Sequence, residues 1–296
     1  MTLLAPALSA GAQRADSVRA GYTPAQCPSC AEWNAPAAPV RLFGNVWYVG
    51  TRGLGAILLT SSAGHVLIDA GLPESAAPIM ANVRTAGFRV EDIRLIVNSH
   101  VHYDHAGGIA AVQRVSGARV AASPSSAAVL RTGVVGPDDP QHDIALAYPA
   151  VTGVRIEPLA DGDTVRVGPI ALAAHFTPGH TPGGTSWSWR SCEGATCLNF
   201  VYADSQTPVS ADGFLFSRNT TYPTVLDDFA RGQALLERLP CDVLLTPHPG
   251  ASQLWERLDA RAHGQAGALQ DGQACRRYAA NARAQLARRV ATEKGK

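Results

Sequence analysis

Excess charge and long apolar runs are both missing from this sequence, and their absence excludes several classes of protein. Lysine and arginine number 25 against 24 aspartates and glutamates, so the formal net charge is only +1. This balance argues against a nucleic-acid-binding or membrane-surface protein, because such partners require a basic face. No stretch approaches the roughly 20 apolar residues that a membrane helix needs. We therefore expect a soluble monomer whose partner is a small molecule.

The composition indicates a folded chain, and its N-terminal residues differ in composition from the rest. With 46% hydrophobic and 17% charged residues, the chain can bury a sizeable core. Residues 1–12 contain an apolar run that ends on a small-x-small pattern, but no Lys or Arg precedes it. We interpret this run as a signal-peptide remnant, with a disordered apolar tail as the alternative. A Pro- and Ala-rich segment, 13–39, follows, and no linker interrupts the single domain predicted over 40–296, which ends in a helix.

The six cysteines form an even set, which usually pairs in an oxidising compartment. Together with the start of the chain, this set predicts a periplasmic or secreted protein. Cys192 and Cys197 flank a short loop between two strand-like runs, so we expect a local bridge between them. Cys27 and Cys30 could form a redox pair or half of a zinc ribbon. Because no second such pair exists, a structural tether is the preferred interpretation.

Strand-like and helical patterns alternate in two similar halves. Each half begins with β-rich runs and finishes with helical spacing, which predicts two sheets packed face to face with helices outside, a four-layer αβ/βα sandwich. Residues 132–153 lack periodicity, and a loop of that length is usually functional or mobile. Strands are predicted at 45–49, 56–60, 65–69 and 93–98 and within 154–203, and helices at 74–87, 224–239 and 273–292.

The most informative segment is Ser99-His100-Val101-His102-Tyr103-Asp104-His105-Ala106-Gly107-Gly108, which directly follows an apolar strand. Alternation at the strand end predicts that His100 and His102 point to one side. Asp104 and His105 then fall in a turn, facing a second centre. Imidazole nitrogen combined with carboxylate oxygen suits zinc, and the glycines are expected to let the backbone pass close to the metals. So dense a cluster disfavours chance grouping in a solvated turn.

This segment resembles the signature of the metallo-β-lactamase superfamily, and the resemblance continues in order downstream. His180 in Thr-Pro-Gly-His-Thr-Pro-Gly-Gly and His248 in Thr-Pro-His-Pro-Gly are similar to its remaining histidines, and Asp69 matches a turn near its active-site floor. The resemblance covers about residues 40–270 and implies the same sandwich fold. It also implies two zinc ions per chain. The first would be bound by His100, His102 and His180, and the second by Asp104, His105 and His248.

Within the superfamily, the sequence is most similar to subclass B3 metallo-β-lactamases, which have Ser where other subclasses have a Cys ligand. The resemblance implies zinc-dependent β-lactam hydrolysis by a metal-bound hydroxide, and hence antibiotic resistance. Asp104 would orient the hydroxide, while Ser205 and Thr207 would donate hydrogen bonds to the substrate carboxylate. Many members have a second Ser where this chain has Thr207. Gln141 is a further candidate for a substrate contact.

Other interpretations use the same ligands. Lactonases and thioester hydrolases such as glyoxalase II usually bridge their metals with an Asp, and Asp204 lies one residue from that place, so the bridge stays open. A serine hydrolase is disfavoured because Ser205 lacks the Gly-x-Ser-x-Gly context. A non-catalytic zinc-binding protein is opposed by the intact set of ligands. The resemblance also implies a Cys241–Cys275 disulfide and an aromatic flank at Trp33, for which a core anchor is the alternative.

Overall fold

The computed structural model of the protein describes residues 27–295, so the predicted signal-peptide remnant lies outside the described part of the chain. Seven strands form the first sheet, in the order in which they follow along the chain. The first four are antiparallel, as the predicted meander requires, and the remaining pairings are parallel. The strands are β1 Val40–Phe43, β2 Val46–Tyr48, β3 Ile57–Leu59, β4 His65–Ile68, β5 Ile93–Val97, β6 Arg119–Ala122 and β7 Ile156–Pro158.

Five strands form the second sheet, and all but one pair of neighbours are antiparallel. They are β8 Thr164–Val167, β9 Ile170–Phe176, β10 Thr185–Glu193, β11 Thr196–Tyr202 and β12 Val243–Leu245. Their spatial order is β12-β11-β10-β9-β8, and the parallel pair is β11 with β12. The strand signals predicted within 154–203 therefore correspond to β7 through β11.

Eight α-helices lie within residues 27–295. They are α1 Cys30–Trp33, α2 Ala76–Thr85, α3 Tyr103–Ala106, α4 Ile109–Ser116, α5 Pro124–Leu130, α6 Val225–Arg238, α7 Leu254–Ala262 and α8 Ala274–Lys294. Helices α2, α4 and α5 share a core with the first sheet, while α6 and α8 share one with the second. No helix in this part of the chain combines the length and the apolar character needed to cross a membrane.

Alternation along the strands separates the inner core from the outer one. Ile57 and Leu59 of β3 face the core between the sheets, where they join Trp187 and Phe200 of the second sheet. Leu58, between them, belongs to the core under the helices of the first sheet. Side chains of successive strand residues point to opposite faces, so each strand contributes to two layers. The predicted four-layer αβ/βα sandwich is therefore confirmed.

Some boundaries differ from the predictions. Strand β1 lies ahead of the predicted start of the meander, at the edge of its sheet, and the predicted helix 74–87 is shortened to α2. A 3₁₀ turn at Pro73–Ser75 precedes that helix, and Gly87, with a positive φ of 92°, follows its end. The division of the chain into 13–39 and 40–296 stays a prediction.

All six cysteines form disulfides. The predicted bridges at 192–197 and 241–275 are confirmed: the first joins the ends of β10 and β11, and the second ties the chain before β12 to α8. The pairing left open at the N-terminus is a bridge between the first residue of α1 and the cysteine three residues before it. The bonded pairs are Cys27–Cys30, Cys192–Cys197 and Cys241–Cys275.

Candidate metal centre

The histidine-rich segment begins just after β5 ends, and the buried carboxylate of Asp69 holds its first residue, Ser99, by hydrogen bonds. Asp69, whose φ of 61° is left-handed, follows β4. Its carboxylate accepts hydrogen bonds from the Ser99 backbone N–H and hydroxyl, each at 2.7 Å, and from the Tyr202 hydroxyl at 2.8 Å. Because Ser99 follows β5 of the first sheet and Tyr202 ends β11 of the second, one carboxylate joins the two sheets next to His100.

The local conformation differs from the sequence prediction in two respects. Strand β5 ends at Val97, so His100 and His102 lie in a loop and strand alternation does not orient them. Asp104 and His105 belong to the short helix α3 instead of an open turn. The physical reason is that the Ser99 backbone N–H donates to the Asp69 carboxylate and not to the backbone of a neighbouring strand.

The glycines after this segment pack against protein, where we expected them to face the metals. A Cβ on Gly108 would lie 2.2 Å from the Ala70 carbonyl oxygen, and one on Gly107 would lie 2.5 Å from Pro73 Cδ. Only glycine allows this close approach of two backbones. The glycines therefore seat the histidine segment on the turn after β4.

Three buried imidazoles form the first group of converging side chains. His100, His102 and His180 each offer a ring nitrogen, and these atoms lie within 4.8 Å of one another. The ring centroids are 4.9–5.0 Å apart. His180 follows β9, which brings it across from the second sheet to meet the loop after β5. We call this group the first position.

The outer nitrogens of two of these imidazoles are held by acceptors. His100 Nδ1 donates to Asp204 Oδ1 at 2.8 Å, and His180 Nδ1 donates to the Thr207 backbone oxygen at 2.8 Å. The Nε2 atom of each ring is then left for a metal. His100 Nε2 is buried and has no hydrogen-bond partner within residues 27–295, which is costly unless a ligand occupies it. An orienting partner on the far nitrogen is the usual arrangement of a metal-binding histidine.

His102 is held in the opposite sense. Its Nε2 donates to the carboxylate of Asp139, with distances of 3.1 and 3.2 Å to the two oxygens, so its Nδ1 is the atom left for a metal. Burial alone would lower the pKa of His102, but the charge and hydrogen bond of Asp139 outweigh it and raise that pKa. Asp139 was not among the predicted site residues, because it lies 37 residues from His102 in the aperiodic loop.

Asp104, His105 and His248 form the second position. Asp104 Oδ2 lies 3.1 Å from His105 Nε2 and 3.3 Å from His248 Nε2, and the two imidazole nitrogens are 3.2 Å apart. Two ligands of a tetrahedral zinc ion, with bonds of about 2.0–2.1 Å, lie about 3.3 Å apart. The spacing of these three atoms therefore fits zinc. Ligand atoms of His100, Asp104 and His105 also fall within 4.8 Å, so the two positions adjoin at His100.

The surroundings of the second position are more open. His248 Nδ1 donates to the Gly53 backbone oxygen at 3.2 Å, and the His248 side chain is 37% exposed. The Trp33 ring lies 5.1 Å from the His248 ring, which makes Trp33 the aromatic flank that the resemblance implied. His105 Nδ1 is buried without a hydrogen-bond partner in the described chain.

Burial and charge set protonation states suited to a cation. Burial, with the neighbouring imidazoles, lowers the pKa of His100 well below its usual range and that of His180 to about 3. Both rings are therefore neutral at physiological pH, as metal binding requires. Burial alone would raise the pKa of Asp104, but His105 and His248 outweigh it and hold that pKa well below its usual value. Asp104 is thus ionised.

Two of the three predicted substrate contacts, Gln141 and Thr207, lie beside the first position. The Gln141 side-chain Nε2 is 3.5 Å from His102 Nδ1 and 3.4 Å from His180 Nε2, so its amide faces the site. Thr207 uses its backbone oxygen to hold His180, and its hydroxyl lies 3.4 Å from the same Nδ1. Ser205 is buried between Asp204 and Thr207 in the chain. Their contact with a substrate stays a prediction.

Asp204 was left open as a bridging ligand, and its contacts give it another role. Its Oδ1 binds the outer nitrogen of His100, on the far side of the ring from Nε2. Its Oδ2 is buried, and a Cβ on Gly184 would lie 2.3 Å from that atom. Asp204 therefore orients a histidine in this structure.

Comparison with known proteins gives the family. A family model of the metallo-beta-lactamase superfamily matches residues 50–261. Among solved structures, the chain is similar to Rm3 metallo-beta-lactamase, with 56% identity and a TM-score of 0.88 over 90% of this chain and 99% of that one. It is also similar to MEM-A1, a subclass B3 metallo-beta-lactamase from a soil metagenome library, with 44% identity and a TM-score of 0.86 over 89% and 99% of the two chains.

Curated relatives match over shorter lengths. A hydroxyacylglutathione hydrolase of Anaeromyxobacter dehalogenans (strain 2CP-C) is 33% identical over 133 residues, which are 45% of this chain and 41% of that protein. An N-acyl homoserine lactonase of Bacillus sp is 29% identical over 159 residues, 44% of this chain and 55% of that protein. The chain thus spans about half the length of these relatives. With a family match over most of the chain, the protein belongs to the metallo-beta-lactamase superfamily.

Proposed function

We propose that the protein is a hydrolase that opens β-lactam rings with two zinc ions per chain. The observation that carries this proposal is the convergence of six metal-binding side chains, from distant parts of the sequence, into two adjoining groups. The similarity to lactamases of known structure, over about nine tenths of the chain, supports β-lactams as the substrate class.

The first zinc would be held by His100, His102 and His180, and the second by Asp104, His105 and His248. The donor set of imidazole nitrogens and one carboxylate is the set that zinc takes in catalytic sites. When bound, zinc lowers the pKa of water to near neutrality and polarises a carbonyl oxygen.

The protein's own side chains would supply orientation. The ionised Asp104 carboxylate is a hydrogen-bond acceptor beside both positions, so we assign it the role of orienting the water nucleophile. Ser205 and Thr207 are assigned to the substrate carboxylate, and the Gln141 amide, which faces two metal-binding imidazoles, to the bound substrate. Because Thr207 already supports His180 through its backbone oxygen, its hydroxyl stays close to the first position.

A periplasmic or secreted location is part of the proposal, together with a monomeric state and a role in antibiotic resistance. Three disulfides within residues 27–295 support an oxidising compartment, since such bonds rarely persist in a reducing one.

The direct test is hydrolysis of three substrate classes by the purified protein. A carbapenem, an acyl-homoserine lactone and a glutathione thioester are each assayed with and without a chelator. We expect chelator-sensitive opening of the carbapenem and little turnover of the other two. Rapid thioester or lactone cleavage without β-lactam turnover would instead assign the function of the curated relatives.

The carboxylate assignment has its own test. The double variant Ser205→Ala/Thr207→Ala should raise KM for a β-lactam by about one to three decades, since each hydrogen bond to a charged group is worth about 1.5–3 kcal/mol. The zinc content should stay the same. A β-lactam whose carboxylate is esterified is the matched control, and its KM should barely change. Equal losses for acid and ester would remove both hydroxyls from this role.

A further inference from the structure

Asp139 is buried, and two different parts of the molecule depend on its carboxylate. Only 2% of the residue is exposed. The carboxylate accepts a hydrogen bond from His102 Nε2, and its Oδ1 also accepts one from the Gln141 backbone N–H at 2.8 Å. A carboxylate with both donors in place is well satisfied, and it links a metal-binding ring to the loop at residues 132–153.

That loop has few other polar ties to the metal centre. Within the described residues, the hydrogen bonds between this loop and the six candidate ligands come from Asp139 and from the side chain of Gln141. A further bond joins the Pro140 backbone oxygen to the Ala211 N–H at 2.9 Å, which leads away from the ligands. Apart from the bonds of the Gln141 amide itself, the hydrogen bonds from this loop to the candidate ligands thus come from one carboxylate.

We propose that Asp139 is a positioning residue that couples metal binding at the first position to the placement of the Gln141 loop. It fixes the His102 ring so that Nδ1 faces the metal, and it fixes the backbone that carries the Gln141 amide. Metal binding and loop order therefore stabilise each other through the same carboxylate. The inference rests on the proposed function only in naming zinc as the metal and Gln141 as a substrate contact.

The coupling has a reciprocal form that a purely structural residue would lack. A metal at the first position would hold the His102 ring, which donates to Asp139, and Asp139 in turn accepts the Gln141 backbone N–H of the loop. Thermodynamic linkage requires that the free energy by which metal binding stabilises the ordered loop equals the free energy by which the ordered loop stabilises metal binding. Removal of zinc should therefore loosen residues 132–153 in the parent protein, and removal of the carboxylate should abolish that response.

The test compares Asp139→Ala with Asp138→Asn, a matched control at the exposed neighbouring carboxylate. Zinc affinity is measured by chelator competition, and hydrogen exchange of residues 132–153 is measured in zinc-free and zinc-loaded protein. We expect Asp139→Ala to weaken the first zinc by about 10- to 100-fold, the range typical of an orienting partner. Its loop should exchange equally fast with and without zinc. The control should behave as the parent in both measurements.

A second variant keeps the test decisive if Asp139→Ala folds poorly. Asp139→Asn retains an acceptor oxygen for both donors and loses the charge, so its zinc affinity should fall between those of the parent and the alanine variant. Parent-like affinity in Asp139→Ala, or a loop that still responds to zinc, would overturn the proposal. Neither readout uses a β-lactam, so the proposed function can fail separately.

Discussion

The two candidate metal positions adjoin, yet they are built differently. At the first position, the two imidazoles of His100 and His102 are locked by carboxylates, and that of His180 by a backbone oxygen. At the second, the His248 side chain is 37% exposed, and its outer nitrogen is held by the Gly53 backbone oxygen at 3.2 Å in place of a carboxylate. A ligand that is already fixed loses less entropy on binding. We therefore expect the first position to bind zinc more tightly than the second.

Removal of one ligand from each position should give the largest difference. His100→Ala should lower β-lactam turnover by at least about 10³-fold, since a metal supplies several kcal/mol of transition-state stabilisation. His248→Ala should keep the first zinc with its affinity unchanged. Steady-state hydrolysis of a β-lactam measures the turnover, and metal analysis after gel filtration measures the zinc retained, with thermal unfolding as a folding control. Two zinc ions retained in His100→Ala, or none in His248→Ala, would contradict the difference between the positions.

The next effect in size comes from the carboxylate behind His100. Asp204→Ala removes the acceptor of His100 Nδ1 and should weaken the first zinc by about 10- to 100-fold. Ser186→Ala is the matched control, because the Ser186 hydroxyl accepts the Asp204 backbone N–H at 2.9 Å without touching a ligand. Chelator competition on both variants separates the orienting effect from general damage to the buried site. If both variants lose the same affinity, orientation is not the cause.

Lowering the pH should reduce the zinc affinity of both positions to a similar extent. Burial alone would lower the pKa of His248, but the charge and hydrogen bond of Asp104 outweigh burial, so the pKa is raised. Asp139 raises the pKa of His102 in the same way. A proton must leave each ring before a metal binds, so affinity falls as the pH drops through these raised values. One such ring at each position predicts a slope of about tenfold per pH unit for each. Competition titrations over a pH series test whether the difference between the positions is preserved.

The smallest effect belongs to the aromatic flank of the second position. Trp33→Ala should weaken the second zinc by about two- to tenfold, because a packed ring contact is worth about 0.5–1.5 kcal/mol. The first zinc should be unaffected. Trp33→Phe, which keeps an aromatic ring, should restore most of the loss. An equal loss at the first position would mean that Trp33 acts on the fold and not on His248.

The ligands of both positions and the layers of the fold could be predicted from the sequence. Four of the six candidate ligands lie within six residues, and the other two lie in Thr-Pro-His or Pro-Gly-His motifs that resemble the family's, so local motifs and the resemblance were enough to predict them. The order of β-rich runs followed by helical spacing in each half likewise predicted the layers. These features depend on neighbours in the chain.

The orienting partners could not be found in this way. Asp139 lies 37 residues from His102, and Asp204 lies 104 residues from His100. Thr207 and Gly53 contribute backbone oxygens, which any residue could supply. The conformation predicted for the loop after β5 was also wrong. The reason is that Asp69, which follows the neighbouring strand β4, accepts the Ser99 backbone N–H. Such contacts are set by the packing of the two sheets, which a linear pattern does not encode.

A zinc titration of the metal-free protein, monitored by calorimetry and by carbapenem hydrolysis in the same samples, tests the central claim most directly. We predict two binding steps per chain, the first tighter than the second, with hydrolysis absent before zinc is added and restored as the positions fill. A single zinc per chain, or carbapenem hydrolysis that persists after complete removal of metal, would contradict the assignment of a two-zinc β-lactam hydrolase.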